Sequence, residues 1–439
     1  MNHCDIIVHA RHILTQDNER KHIEEASVAI RDGLIVAVDS RKTIARFWQA
    51  PLERDLGNSL ILPGLINAHT HAAMTFLRGY ADDLPLVQWL TEKIFPIEAS
   101  LTKEIVETAS LLGFAEMLRT GTTSCLDMYI FEPSVFKAAE KAGIGLTAGE
   151  VVFTFPSAAC PSYKEALSVT HDLARTYADS RRLQVVISPH AVYTSTPDIL
   201  KACLEASDKL HIPIHMHLAE SEAETKQCLS QHGLRPIPYC KKLGFMERAL
   251  SLAHVVDVNN EELTLLNNAS DAVVIHNPGS NMKLASGIAP IPAMLSQGMT
   301  VALGTDGPAS NNQLNMFLEM NRAALLHKVA SKASETLPAQ KVLDMATLGG
   351  ARALHRDDIG SLAVGKRADL TALDLTQPNL IPLYDPVSQL VYAAQGSEVI
   401  LTMVEGEILY DHGLFTRFSY TDLCHEMESI RSHVQKKFS

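Results

Sequence analysis

The sequence predicts an α/β chain: a (β/α)8 barrel of the TIM type, carrying a small β-sandwich domain formed by both ends of the chain. Three observations predict it. Between about residues 60 and 354, eight short apolar runs rich in Val and Ile alternate with amphipathic segments. The first sixty residues and the stretch after residue 360 read instead as short strands joined by tight turns. Polar side chains able to bind a metal stand at the carboxyl ends of most of the eight runs, where barrel enzymes gather their active sites.

The N-terminal piece, residues 1–60, opens with an alternating run at Asp5–Ala10. Ala26–Ile30, the turn Arg31-Asp32-Gly33 and Leu34–Val38 then make a hairpin. The same pattern returns over residues 360–415: Asp369–Asp374, Glu398–Val404, the turn Glu405-Gly406, and Glu407–Tyr410. Neither piece alone has enough strands to bury a face, so the two are expected to fold together. The barrel occupies 61–359. Its runs are Leu60–Asn67, Thr122–Met128, Ile144–Val151, Leu183–Ser188, Pro213–His217, Ala249–Ala253, Ala272–Ile275 and Thr300–Leu303. Helical spacing predicts Lys103–Arg119, Pro133–Ala142, Pro197–Leu210, Glu220–His232 and Glu261–Asn268 between them. Leu423, Met427, Ile430 and Val434 predict a C-terminal helix within 416–439.

With 46% hydrophobic and 20% charged residues, the 439-residue chain can build a large core. Its formal net charge of −12, with no dense basic cluster, argues against nucleic acid or an anionic membrane as a partner. Seven widely spaced cysteines without a C-x-x-C predict reduced thiols and a cytoplasmic protein. No stretch has the length and apolarity of a signal peptide or a membrane span. A homo-oligomer is compatible with all of this.

The strand ends carry the chemistry. The first run ends in His69-Thr70-His71; residues two apart on a strand point the same way, so both imidazoles aim at one place. The fifth ends in His215-Met216-His217-Leu218-Ala219-Glu220, and periodicity leaves His215 and His217 as rival ligands. Glu220 falls in the next turn, where it either sits beside a metal site or is an ordinary helix-start acid. The fourth run gives His190, the sixth His254, the seventh His276 and the eighth Asp306. An unpaired carboxylate after an apolar strand is costly without a cation or donors. A His-His-His-Asp set suits one divalent ion, zinc foremost, with iron or manganese as alternatives.

These motifs resemble the amidohydrolase superfamily, and more closely its 5′-methylthioadenosine/S-adenosylhomocysteine deaminases. The resemblance spans nearly the whole chain and rests on P-G-L-I-N-A-H-T-H (63–71), Trp89–Glu98 ending F-P-I-E, S-P-H (188–190), H-x-H-L-A-E (215–220), A-H (253–254), and the blocks at 276–290 and 304–312. It implies that His69, His71, His217 and Asp306 are the metal ligands, choosing His217 over His215. It implies that Glu220 protonates the ring nitrogen and that His254, with Asp306, takes the proton from water. Glu98 would hold the ribose hydroxyls, His190 would touch the substrate, and Trp89 would line the pocket. Strand four offers His190 and no lysine, which implies one metal and not two.

The implied activity is hydrolytic deamination of the 6-amino group of a 5′-modified adenosine (5′-methylthioadenosine, S-adenosylhomocysteine or adenosine), with release of ammonia. The same metal set also serves guanine, s-triazines or aminodeoxyfutalosine, and a non-catalytic binding barrel is a more remote reading. Glu98 favours a ribosyl substrate, since a free base has no diol for it. One departure stands out. Ala142-Gly143-Ile144 is followed by Gly145, where the better-known members place an arginine that holds the substrate's far end, and no arginine occurs until Arg175.

Overall fold

The computed structural model describes residues 1–85 and 88–438. In chain order the N-terminal strands are β1 (Ile6–Leu14), β2 (His22–Arg31), β3 (Leu34–Ser40), β4 (Leu52–Asp55) and β5 (Ser59–Pro63). Next come β6 (Leu65–Thr70), β7 (Thr122–Tyr129), β8 (Gly145–Val152), β9 (Leu183–Val185), β10 (Ser188–Pro189), β11 (Ile214–Leu218), β12 (Ala249–His254), β13 (Asp271–His276) and β14 (Thr300–Leu303). The C-terminal strands are β15 (Leu370–Asp374), β16 (Val399–Val404), β17 (Glu407–Asp411) and β18 (Leu414–Phe415).

The two chain ends do share a sheet. Its order is β18-β17-β16-β15-β5-β1-β2-β3, with β4 paired to β1. The joint between the ends is the antiparallel β5–β15 ladder, Leu62 opposite Thr371. Among the described residues these nine strands form one hydrogen-bonded sheet, not two separate ones. The run Leu60–Asn67, read as one barrel strand, divides at Gly64. β5 before it belongs to the end sheet, and β6 after it joins the parallel strands. Gly64 is required there, because a Cβ would lie 2.1 Å from Thr123 Oγ1.

The middle strands are all parallel and alternate with helices, among them Lys103–Arg119, Glu132–Ala142, Tyr163–Thr176 and Pro197–Leu210. They form two groups, β9-β8-β7-β6 with β10 on β8, and β11-β12-β13-β14. A parallel bridge Ile187–Ile214 links the groups on one side, with the His215 N–H donating to the Ile187 carbonyl at 2.9 Å. On the other side the Asp306 N–H donates to the His69 carbonyl at 2.9 Å. Ile66, Leu126, Val186, Val273, Ile275 and Ala302, drawn from both groups, pack in one buried apolar cluster. Both groups therefore bury a common face, and both aim their carboxyl ends at one place.

The helix after β11, Glu222–His232, starts two residues later than its spacing suggests. Ser221 is its N-cap, accepting from the Glu224 N–H, so Glu220 precedes the helix and is free of that role. The C-terminal helix Tyr420–Phe438 docks through the buried Leu423 and Val434. All seven cysteines are unpaired. Among the described residues no helix is long and apolar enough to cross a membrane.

Candidate metal centre and cavity

Three imidazoles at the strand ends are locked in one tautomer by their neighbours. His71 Nδ1 lies 2.5 Å from the Met128 carbonyl, and His217 Nδ1 lies 2.9 Å from the His190 carbonyl. A carbonyl only accepts, so both Nδ1 atoms carry the proton and both Nε2 lone pairs are free. His69 is fixed through a relay. His215 Nδ1 donates to the Ser251 carbonyl at 2.9 Å, so His215 Nε2 accepts from His69 Nδ1 at 2.9 Å. The His69 Nε2 is then a lone pair, fully buried and without a hydrogen-bond partner. An orphaned lone pair in that place fits a metal ligand. His215 has both ring nitrogens engaged, and its part is to orient His69.

The three Nε2 atoms converge on Asp306. Asp306 Oδ1 lies 3.4 Å from His69 Nε2 and 3.2 Å from His71 Nε2, and His71 Nε2 lies 3.3 Å from His217 Nε2. The other carboxylate oxygen, Oδ2, accepts from the Ser280 and Ser310 hydroxyls at 2.6 and 2.9 Å. Burial alone would raise this carboxyl, but a proton or cation shared with the His69 and His71 Nε2 atoms holds it well below the usual range.

His254 also reaches the cluster; its ligand-capable atom lies within 4.8 Å of those of His69, His217 and Asp306. Its protonation differs from theirs. His254 Nδ1 faces the amide nitrogens of Asn281 (3.0 Å) and Asn277 (3.4 Å), which donate. The proton therefore sits on Nε2, which points toward Glu220 Oε2 at 3.9 Å. Proximity admits His254 as a fourth imidazole ligand, whereas tautomer chemistry favours His71. A metal ligand needs a lone pair; on His254 the proton sits on Nε2, whereas on His71 it sits on Nδ1. Burial pushes the His254 imidazolium down to about 3, so the ring is neutral at working pH.

Glu220 is buried, and desolvation, then Asp306 and Glu224, push its carboxyl well above the usual range, toward the protonated form. Several of these residues sit on strained backbone. Ala219, His254, Val255 and Asp306 have φ of +51°, +76°, +50° and +61°. None is glycine, and such strain concentrates where side chains must be aimed.

A cavity opens over this cluster, with His71, His217, Glu220, His254 and Asp306 in its lining. Glu98, His190 and Trp89 all line it. Glu98 ends the continuous helical stretch from Trp89 and lies beside the Tyr129 phenol; burial raises its carboxyl. His190 Nδ1 pairs with Thr194 Oγ1 at 2.9 Å, and burial and the neighbouring imidazoles push it down to about 3. Trp89 Nε1 donates to the Ala81 carbonyl at 3.1 Å, which pins the segment over the mouth.

The sequence-predicted residues His71, His217, Asp306, Glu220, His254, Glu98, His190 and Trp89 are all brought to the lining of one cavity, and the buried His69 is held in the ligand cluster with them. His276 is not. It is buried, its Nε2 paired with His327 Nε2 at 3.1 Å. Sequence reading missed the supports: Ser251 behind His215, Ser280 and Ser310 on Asp306, Asn277 and Asn281 on His254, and Glu224, which accepts the Glu220 N–H at 2.7 Å. Only the polar block N-P-G-S-N at 277–281, just after the seventh run, hinted at them, and it carries no metal-ligand signal.

Comparison with known proteins gives a consistent result. The model of the amidohydrolase family matches residues 60–409. A Desulfovibrio desulfuricans protein named 5-methylthioadenosine/S-adenosylhomocysteine deaminase is 56% identical over 437 residues, covering 100% of this chain and 99% of that one. A Lawsonia intracellularis protein of the same name is 55% identical, covering 99% and 98%. The crystal structure of an adenosine deaminase from Xanthomonas campestris with bound zinc superposes with a TM-score of 0.96 at 33% identity, covering 99% of each chain. The fold is accordingly of the α/β TIM-barrel type, and the chain belongs to the amidohydrolase family.

Proposed function

We propose that the protein is a metal-dependent hydrolase that deaminates 5′-substituted adenosines at C6. The observation carrying this reading is the convergence of three imidazole Nε2 atoms on Asp306, with the buried Glu220 carboxyl beside His254 in the same cavity. The relatives' names and the family support the same chemistry. His69, His71, His217 and Asp306 would hold one divalent ion, zinc by ligand chemistry and by the zinc-bound relative. That ion supplies the Lewis acidity that lets water be deprotonated near neutral pH.

The chain's own groups do the rest. Asp306 accepts the proton of the attacking water. Neutral His254 orients that water through its Nε2–H, a donor's role and not the base's share implied by the resemblance. Glu220 gives its proton to ring N1 as oxygen bonds to C6. The proton on Asp306 then passes to the amino group, the proton of the new C6 hydroxyl returns to Glu220, the C6–N bond breaks, and ammonia leaves a 6-oxo purine. Glu98 would accept from the ribose hydroxyls, with Tyr129 beside it, and His190 and Trp89 would pack on the substrate. A closed barrel, an end-to-end β-sandwich and a cytoplasmic location complete the proposal; the unpaired cysteines suit the last.

The test is ammonia release by the metal-replete protein from adenosine, methylthioadenosine, S-adenosylhomocysteine, guanine and triazines. Turnover confined to the adenosines supports the proposal. Turnover of guanine or a triazine alone refutes it.

A further inference from the structure

We infer that the outer half of the cavity is a subsite for a neutral 5′-thioether or alkyl group, and that the enzyme discriminates against a charged amino-acid tail at that position. The inference rests on the reading above, in which the purine meets Glu220 and the ribose diol meets Glu98. Phe95 stands one helical turn before Glu98, on the same face of its helix, so the group beyond the ribose meets it next. Phe95 belongs to an aromatic track from the interior to the rim. Phe153 packs 5.0 Å from the His190 ring, Phe153 and Phe155 stack at 4.7 Å, and Phe95 and Phe155 lie 5.5 Å apart. Phe155, 36% exposed, backs the cavity-lining Phe95 and Phe153 at the rim.

Charge points the same way. The ionisable carboxyl groups lining the cavity are Glu98, Glu220 and Asp306, and among its described residues no lysine or arginine lines it. A thioether sulfur is well matched to aromatic edges. An α-carboxylate and α-ammonium would shed water against phenyl rings with no cation to receive the carboxylate. The discrimination is therefore set by charge and not by length.

The experiment compares kcat/KM of the metal-replete enzyme for 5′-methylthioadenosine, S-adenosylhomocysteine and 5′-n-butylthioadenosine, the last matching the homocysteine chain without its charges. The expected result is butylthioadenosine within about threefold of methylthioadenosine, and S-adenosylhomocysteine at least about tenfold lower. Phe155→Arg should raise the S-adenosylhomocysteine to methylthioadenosine ratio by about fivefold or more, mainly through the KM for S-adenosylhomocysteine. S-adenosylhomocysteine equal to or better than methylthioadenosine overturns the inference. So does butylthioadenosine as poor as S-adenosylhomocysteine, because length would then be the limit, and so does an unchanged ratio in the variant. No turnover of any 5′-substituted adenosine is a separate outcome; it removes the underlying reading and the inference with it.

Discussion

Glu220→Gln separates proton delivery from metal binding. The change keeps size and shape, and the backbone N–H of residue 220 still has Glu224 Oε2 at 2.7 Å as its acceptor. It removes the carboxyl proton that would go to ring N1. Loss of a positioned proton donor costs about 10²–10⁴ in rate, which is about 3–5 kcal/mol of barrier. The surroundings offer no substitute. His254 and His190 are each pushed down to about 3 and are neutral at pH 7, and Asp306 is held ionised. We therefore expect a fall in kcat of about a thousandfold, with KM changed only a few-fold and metal content unchanged. Stopped-time ammonia assays and metal analysis after gel filtration measure both. A variant within about fivefold of wild-type kcat refutes Glu220 as the proton donor; loss of metal would instead make Glu220 part of the ion's support.

Other consequences follow from particular contacts. His215→Ala removes the acceptor for His69 Nδ1–H, so metal affinity should drop about 10–100-fold in a chelator competition while saturating stoichiometry stays at one. Gly64→Ala would place a Cβ 2.1 Å from Thr123 Oγ1, where two sheets meet, and should lower stability by about 3 kcal/mol or more in denaturant unfolding. Glu150 is a pH probe away from the ligands. Burial raises its carboxyl to about 7, offset in part by the backbone N–H groups of Glu132 and Phe131. The folded protein then holds a proton that the unfolded chain has lost between about pH 4.5 and 7. Its contribution is full below the unfolded value and fades as pH rises through 7, by about 2–3 kcal/mol. Glu150→Gln should therefore gain in Tm over wild type from pH 5 to pH 8, and a constant difference would contradict the shift.

Much of the site was legible because strand-end position and residue type are both written in the sequence. His69-x-His71 follows from the two-residue strand period, and Asp306 from a carboxylate placed after an apolar run. Period two could not separate His215 from His217, since both point the same way. What separates them is a cross-strand partner, the Ser251 carbonyl, which no local pattern reveals. For the same reason Ser280, Ser310, Asn277 and Asn281 went unseen: their roles come from long-range pairing. The break at Gly64 was hidden because apolar residues continue through it; only the packing of Thr123 shows that the chain changes sheet there. His276 had the right position on its strand, but the buried His327 claims its ring.

The central claim is that a single ion sits on His69, His71, His217 and Asp306, with His254 held back as a donor. Anomalous diffraction from crystals of the zinc-loaded protein tests it directly. The account predicts one peak, about 2.0–2.2 Å from the Nε2 atoms of His69, His71 and His217 and from an Asp306 carboxylate oxygen. A peak bonded to His254 in place of His71, or two peaks at this site, would contradict it.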